Sequence, residues 1–320
     1  MNKEKIKSLA FLTGSMVIFG TIGLFRRFID MPSSVLAMAR GFIGTIFLLV
    51  VLIILKQLRA NRNIKESNSA LSGTNREIAP SKGKFLSNLL DTKAISTNLV
   101  KLLVSGAMIG LNWILLFEAY RYTTVSIATL CYYMSPIFVV LLSPIFLKCR
   151  YTLKKIICTI CALFGMVLVS GVISGNSLSG TAFIGILFGL GAAILYASVV
   201  IINQKISAIG AFDKTIIQLL TAAVITIPYI LLTGDYKDVS LTPISILLVI
   251  FVGLVHTGVA YMLFFKSMDN LEAQTVALFG YIDPVIALIL SALILKEHMG
   301  LAEIIGAILI LGSAIFSETE

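Results

Sequence analysis

The residues able to do chemistry are few, and they sit in an otherwise apolar chain. Asp283 stands next to Pro284 at the centre of the apolar run 273–295, which holds no other charge. Ionising a carboxylate at the middle of a bilayer costs about 2.5–3.5 kcal/mol even on lenient insertion scales. A carboxyl in that position can take up and release a proton for coupling, or hold a cationic group of a solute. The plainer alternatives are a permanently protonated acid or a structural partner for Arg40 or Tyr133. Arg40 lies five residues into the run 35–55; it either snorkels to the bilayer surface or attracts the carboxylate of a substrate. Asn112, Trp113, Tyr132, Tyr133 and Tyr281 fall at comparable depths. Aromatic surface with a few polar groups suits a medium-sized organic solute, although each of these residues alone is also an ordinary packing or interfacial residue.

Pro136 and Pro284 occupy the midpoints of the runs 125–147 and 273–295. A proline inside a helix lacks the amide donor and clashes with the carbonyl four residues back, which frees the carbonyls of Tyr132 and Gly280. Within a membrane such groups are tolerated only where protein or a wet cavity satisfies them. The two prolines therefore predict helix kinks, lining a central cavity or serving packing alone. Glu118, near the end of its run, and His256, with no second histidine close by, are weaker candidates. Cys158 and Cys161 form a C-x-x-C inside an apolar run without a second pair, so no metal or redox centre is expected. The chain has no G-x-S-x-G, no Walker A sequence and no Gly-rich βαβ unit, and neither enzymatic activity nor a cofactor is expected.

The elements that must position these residues follow from composition. Of 320 residues, 58% are hydrophobic and 13% are charged, and the mean hydropathy is +0.99. A soluble chain of this length needs far more charge to cover its surface. Apolar runs occur at 9–25, 35–55, 99–120, 125–147, 156–173, 182–202, 216–232, 244–265, 273–295 and 301–316, and about 20 apolar residues make a helix that crosses hydrocarbon. The fold class is thus an all-α integral membrane protein with ten transmembrane helices, and the lipid bilayer is its first partner. The lysine-rich start up to Lys7 and the run ending at Arg26-Arg27 read as a retained first membrane helix rather than a cleaved signal. The polar segment 56–98 reads as an unstructured insertion, with Phe85, Leu86, Leu89 and Leu90 able to form one amphipathic turn on the membrane surface.

The net charge of +9 is not a nucleic-acid signature, because the basic residues lie in loops. With the N-terminus inside and ten spans, inner segments hold 19 Lys/Arg and outer segments five. That bias predicts a cytoplasmic location for both termini and for 56–98 in the cell membrane, with Arg26-Arg27 the one pair against it.

Compared with itself at an offset of 148, the stretch 110–169 matches 15 of 60 positions. Gly110/Gly258, Phe117/Phe265, Tyr133/Tyr281, Pro136/Pro284, Ser143/Ser291 and Lys148/Lys296 are the matches that hydrophobicity does not explain. Under this register Ser135 is the mate of Asp283. Each half holds five runs, an odd number, so the second copy enters the membrane upside down. Two inverted five-helix repeats, 8–173 and 182–316, are the architecture of alternating-access transporters, with a substrate site between the halves near the midplane.

The repeated segments also resemble a known family. Phe265, Ser267, Pro284, Glu297, Gly306 and Gly312 in the second copy, and Phe117, Ala119 and Pro136 in the first, are similar to the two EamA-type units of the drug/metabolite transporter superfamily. The first copy has Lys148-Cys149 where the family usually carries a glutamate, and Arg40 resembles the arginine usual in the second helix. The resemblance implies a secondary active transporter, an efflux permease for small organic metabolites such as amino acids or drugs, with protons as the coupling ion and a monomer or homodimer as the working unit. A membrane sensor or scaffold and a lipid-acting enzyme are the rival readings.

Overall fold

The computed structural model describes residues 3–26, 28–70, 92–123, 125–148, 152–169, 182–207, 209–294 and 300–318. Its regular structure is helical throughout those residues. Long runs of Leu, Ile, Val, Ala and Phe leave the backbone no partner except itself in hydrocarbon, and a helix satisfies every peptide group within one segment.

The helices are α1 (Lys3–Arg26), α2 (Ser33–Ala70), α3 (Thr92–Tyr122), α4 (Val125–Tyr132), α5 (Ser135–Leu147), α6 (Leu153–Val169), α7 (Ala182–Gln204) and α8 (Ala211–Thr233). After a short 3₁₀ turn at Asp235–Asp238 come α9 (Pro243–Phe251), a π-helical stretch (Val252–Val259) and α10 (Ala260–Ser267) as one continuous rod. The chain ends with α11 (Ala273–Phe279), α12 (Ile282–Ile294) and α13 (Leu301–Glu318). Thr242 starts the rod by accepting from the Ser245 amide at 3.1 Å, with Pro243 in the first turn where no amide donor is needed.

Among the described residues, eight helical stretches are long and apolar enough to cross a membrane. Two of them, 127–147 and 273–294, contain an interruption. The other two apolar runs of the sequence form α6, of 17 residues, and α13, of 18. These two pack on each other so closely that a Cβ at Gly165 would lie 2.7 Å from the Gly306 carbonyl, and one at Gly306 would lie 2.5 Å from the Gly165 carbonyl.

The segment 56–98 differs from expectation. Helix α2 continues to Ala70 and α3 begins at Thr92, leaving 71–91, with Phe85, Leu86, Leu89 and Leu90, outside the described residues. Extending a helix already nucleated in the membrane costs little, and Lys, Gln, Leu, Arg, Ala and Glu, abundant just after 55, are good helix formers.

Helix α7 packs on α3, α4 and α5, and α1 packs on α10, the π-helical stretch and α12. Helix α8 lies against α3 and α2, and α2 also contacts the π-helical stretch. The core is built mainly from Leu12, Leu48, Ile109, Trp113, Val139, Val200, Phe264, Phe265 and Val276.

Candidate functional site

Two interruptions position the site. Helix α4 stops at Tyr132 and α5 starts at Ser135; α11 stops at Phe279 and α12 starts at Ile282. In both cases the proline, Pro136 or Pro284, lies in the first turn of the second half-helix. The missing amide and the clash with the carbonyl four residues earlier thus break the helix one turn before the proline. The Tyr133 carbonyl left by the break accepts from the Tyr281 hydroxyl at 2.8 Å. Donor and acceptor are mates at offset 148, and their rings lie 6.3 Å apart.

Between these breaks and helices α1, α2, α3, α7 and α10 lies a cavity of about 270 Å³. It reaches from the middle of the bundle toward the end away from the N-terminus: its wall includes Met16, Phe19 and Ile22 of α1, Arg40 of α2 and Asn112 to Tyr120 of α3. Five pairs related by the offset of 148 line it on both sides, namely Trp113/Tyr261, Leu116/Phe264, Thr129/Ala277, Tyr132/Gly280 and Ser135/Asp283.

Of the residues the sequence singled out, Arg40, Asn112, Tyr132, Tyr133, Ser135, Pro136 and Asp283 line this cavity. Tyr281 and Pro284 are buried behind it. The Asn112 amide donates to the Ala192 carbonyl at 2.6 Å, which ties α3 to α7. Asp283 lies beside the Tyr133 hydroxyl, and the close approach of α1 holds its backbone in place, since a Cβ on Gly20 would meet the Asp283 carbonyl at 2.6 Å. The Arg40 guanidinium lies over the Trp113 ring, 4.8 Å from its centroid. Its Nε is buried without a hydrogen-bond partner, and the ion pairs among the described residues do not include it.

Tyr120, Thr129, Tyr196, Tyr261 and Phe264 also line the cavity and went unread in the sequence. The offset pointed to Tyr261 and Phe264 as mates of Trp113 and Leu116; Tyr196 lies outside the repeated stretch and carried no such signal. Glu118 is at the far end of α3, where the Tyr229 hydroxyl donates to it at 2.5 Å. His256 sits in the π-helical stretch between Phe25 and Phe251, with Nε2 2.7 Å from the Thr21 hydroxyl. Among the described residues no His, Cys, Asp or Glu cluster could hold a metal ion.

The sequence pattern of the EamA-like transporter family matches residues 77–171 and 183–319. The chain belongs to the EamA-like transporter family. It is a multi-pass membrane transporter. A Bacillus subtilis (strain 168) protein named "Uncharacterized transporter YxxF" is 25% identical over 309 residues, covering 97% of this chain and 88% of its own. A Clostridium kluyveri "Uncharacterized transporter" is 25% identical over 212 residues, covering 65% of this chain and 68% of its own. A protein of known crystal structure superimposes with a TM-score of 0.72 over 98% of this chain and 96% of its own, at 17% identity, and so shares the fold.

Proposed function

We propose that this EamA-like transporter is a secondary active efflux permease that moves small organic metabolites, such as amino acids or drugs, across the cell membrane by alternating access. In this reading ten transmembrane helices form two inverted five-helix repeats, 8–173 and 182–316, and both termini face the cytoplasm. The observation that carries it is the cavity wall: five of its lining pairs are repeat mates, which supports a solute site on the axis relating the two halves, as alternating access requires.

Packing gives further support. Exchanging each apolar run with the run five places later turns the contacts of α7 with α3, α4 and α5 into those of α1 with the α9–α10 rod and α12. The same exchange turns α8 on α3 into α2 on the π-helical stretch, and leaves α2–α8 and α6–α13 as self-related pairs. The basic residues favour the inner side for the termini by 19 to five. Labelling of a cysteine placed at position 75 from outside intact cells overturns that orientation.

Asp283 is the coupling group in this reading, because it is the acid on the cavity wall and the ion pairs among the described residues do not include it. Asp283→Asn keeps size and hydrogen bonding while removing the exchangeable proton. Flux driven by a pH gradient into proteoliposomes is expected to fall at least about tenfold, equivalent to about 1.4 kcal/mol, with Asp283→Glu retaining part of it. Full gradient-driven flux in the Asn variant assigns Asp283 a structural role.

A further inference from the structure

We propose that Arg40 is the docking point for the carboxylate of the transported solute, so that the substrate class is a small organic acid with an apolar body. This rests on the transport reading and makes the chemistry of its site specific.

Arg40 lies two turns into α2, counted from Ser33. A snorkelling arginine sends its head to the bilayer surface, whereas this one faces the cavity and sits over the Trp113 ring. The guanidinium carries five N–H donors and no acceptor. Its Nε is buried without a partner, and none of the ion pairs among the described residues reaches it. A partly buried cation without a counter-ion is unfavourable. A group that enters the cavity with negative charge relieves this cost.

The rest of the wall selects among anions. Tyr132 and Tyr261 share the cavity wall with Arg40, and Phe19, Tyr196 and Phe264 give apolar and aromatic surface. A carboxylate matches the planar guanidinium fork with two parallel hydrogen bonds, and a hydrocarbon or aromatic body fills the remaining wall. At about 270 Å³ the space is just below the usual range for ligand pockets, which favours a small solute.

The site contains its own reporter, because Trp113 is the chain's single tryptophan. The purified full chain in detergent is titrated with hexanoate and phenylacetate, with hexylamine and 2-phenylethylamine, with the matching alcohols, and with sodium chloride and inorganic phosphate at equal ionic strength. The expected result is a saturable change in tryptophan emission for the two acids alone. Arg40→Gln should weaken it at least about tenfold, and Arg40→Lys, which keeps the charge but loses the fork, by less. Equal responses to the amines or alcohols, an equal response to chloride or phosphate, no saturable response to either acid, or an unchanged isotherm in a monodisperse Arg40→Gln protein each overturn the proposal. Proteoliposome flux run in parallel separates the two levels. Flux without preference for acids removes the substrate class and leaves transport standing; acid-selective emission changes without flux of any solute keep the anion site and remove the transport reading.

Discussion

At the end of the bundle that carries the N-terminus, Lys266 and Asp269 form an ion pair of 2.8 Å one helical turn apart. At the opposite end Glu118 and Arg121, their mates at offset 148, form the same pair with the signs reversed, at 3.3 Å. Helix α8 joins both. Lys214 in its first turn reaches Asp269 at 3.4 Å; Tyr229 near its end donates to Glu118 at 2.5 Å, and Asp235 just beyond accepts from Arg121 at 3.1 Å. The ends differ in burial and in reach. Among the cations the Lys214 side chain is 1% exposed and the Arg121 side chain 49%, while the acids run the other way, with Asp269 29% exposed and Asp235 12%. The segment around Asp269 also ties down α1 through Asn270 and Ser8, α5 through Gln274 and Ser143, α6 through Glu272 and Lys155, and α7 through the Leu271 carbonyl and Gln204. Arg121 and Glu118 reach α8, and through Asp235 they reach Ser34 of α2. An exposed ion pair contributes at most about 1 kcal/mol, whereas stripping a buried charge of its partner costs about 3–5 kcal/mol. The end carrying the N-terminus is therefore the more firmly tied, and in the proposed alternating-access cycle it takes more work to open.

The largest expected effect comes from Asp269→Asn, which leaves the buried Lys214 without its counter-ion. Thermal unfolding in detergent should show a loss of about 3 kcal/mol, the low end for a broken buried pair because Asp269 is itself partly exposed. Adding Lys214→Met to this variant should recover most of the loss, since removing both charges is far less costly than removing one. A melting curve indistinguishable from that of the parent protein would erase the difference between the two ends. In a cysteine-free background, a cysteine at Ala277 should also react faster with reagent applied from the N-terminal side once Asp269 is replaced.

Arg121→Gln at the other end is expected to cost no more than about 1 kcal/mol. Raising salt from about 0.15 M to 1 M should remove most of that cost, because the Debye length shrinks from about 8 Å to 3 Å, while the effect of Asp269→Asn should persist. A larger loss for Arg121→Gln than for Asp269→Asn reverses the comparison. The smallest change, Tyr229→Phe, removes one hydroxyl donor to Glu118 and should cost about 1 kcal/mol or less in the same assay.

Composition alone was enough for the helical membrane class, because a run such as 182–202, without one charged residue, has few alternatives to burial in hydrocarbon. The offset of 148 brought Tyr133, Pro136, Tyr281 and Pro284 to attention, and the same identities mark both helix breaks in the structure. Legibility stopped at direction. Periodicity assigned a depth to Tyr281 but not a face, and its hydroxyl turns to the Tyr133 carbonyl behind the cavity. Asn112 read as a candidate ligand contact; it lines the cavity, and its amide nitrogen also donates to α7. The reach of α2 to Ala70 was hidden by polar composition, since hydropathy reports the solvent of a helix and not its continuation.

What the sequence determined by itself was the solvent, the spacing of the crossings and the residues that cannot rest in lipid without a reason: Arg40, Asp283 and the two central prolines. Those are properties of single positions and their distances along the chain, and transfer free energies and backbone sterics act on them locally. The tertiary structure alone decided that Arg40 meets the Trp113 ring and no carboxylate among the described ion pairs. It also decided that Asp283 lies beside Tyr133, and that ion pairs of opposite sign, mates at the offset of 148, sit at the two ends of α8. Those outcomes depend on the rotation of each helix about its axis, which close packing against neighbours distant in sequence sets.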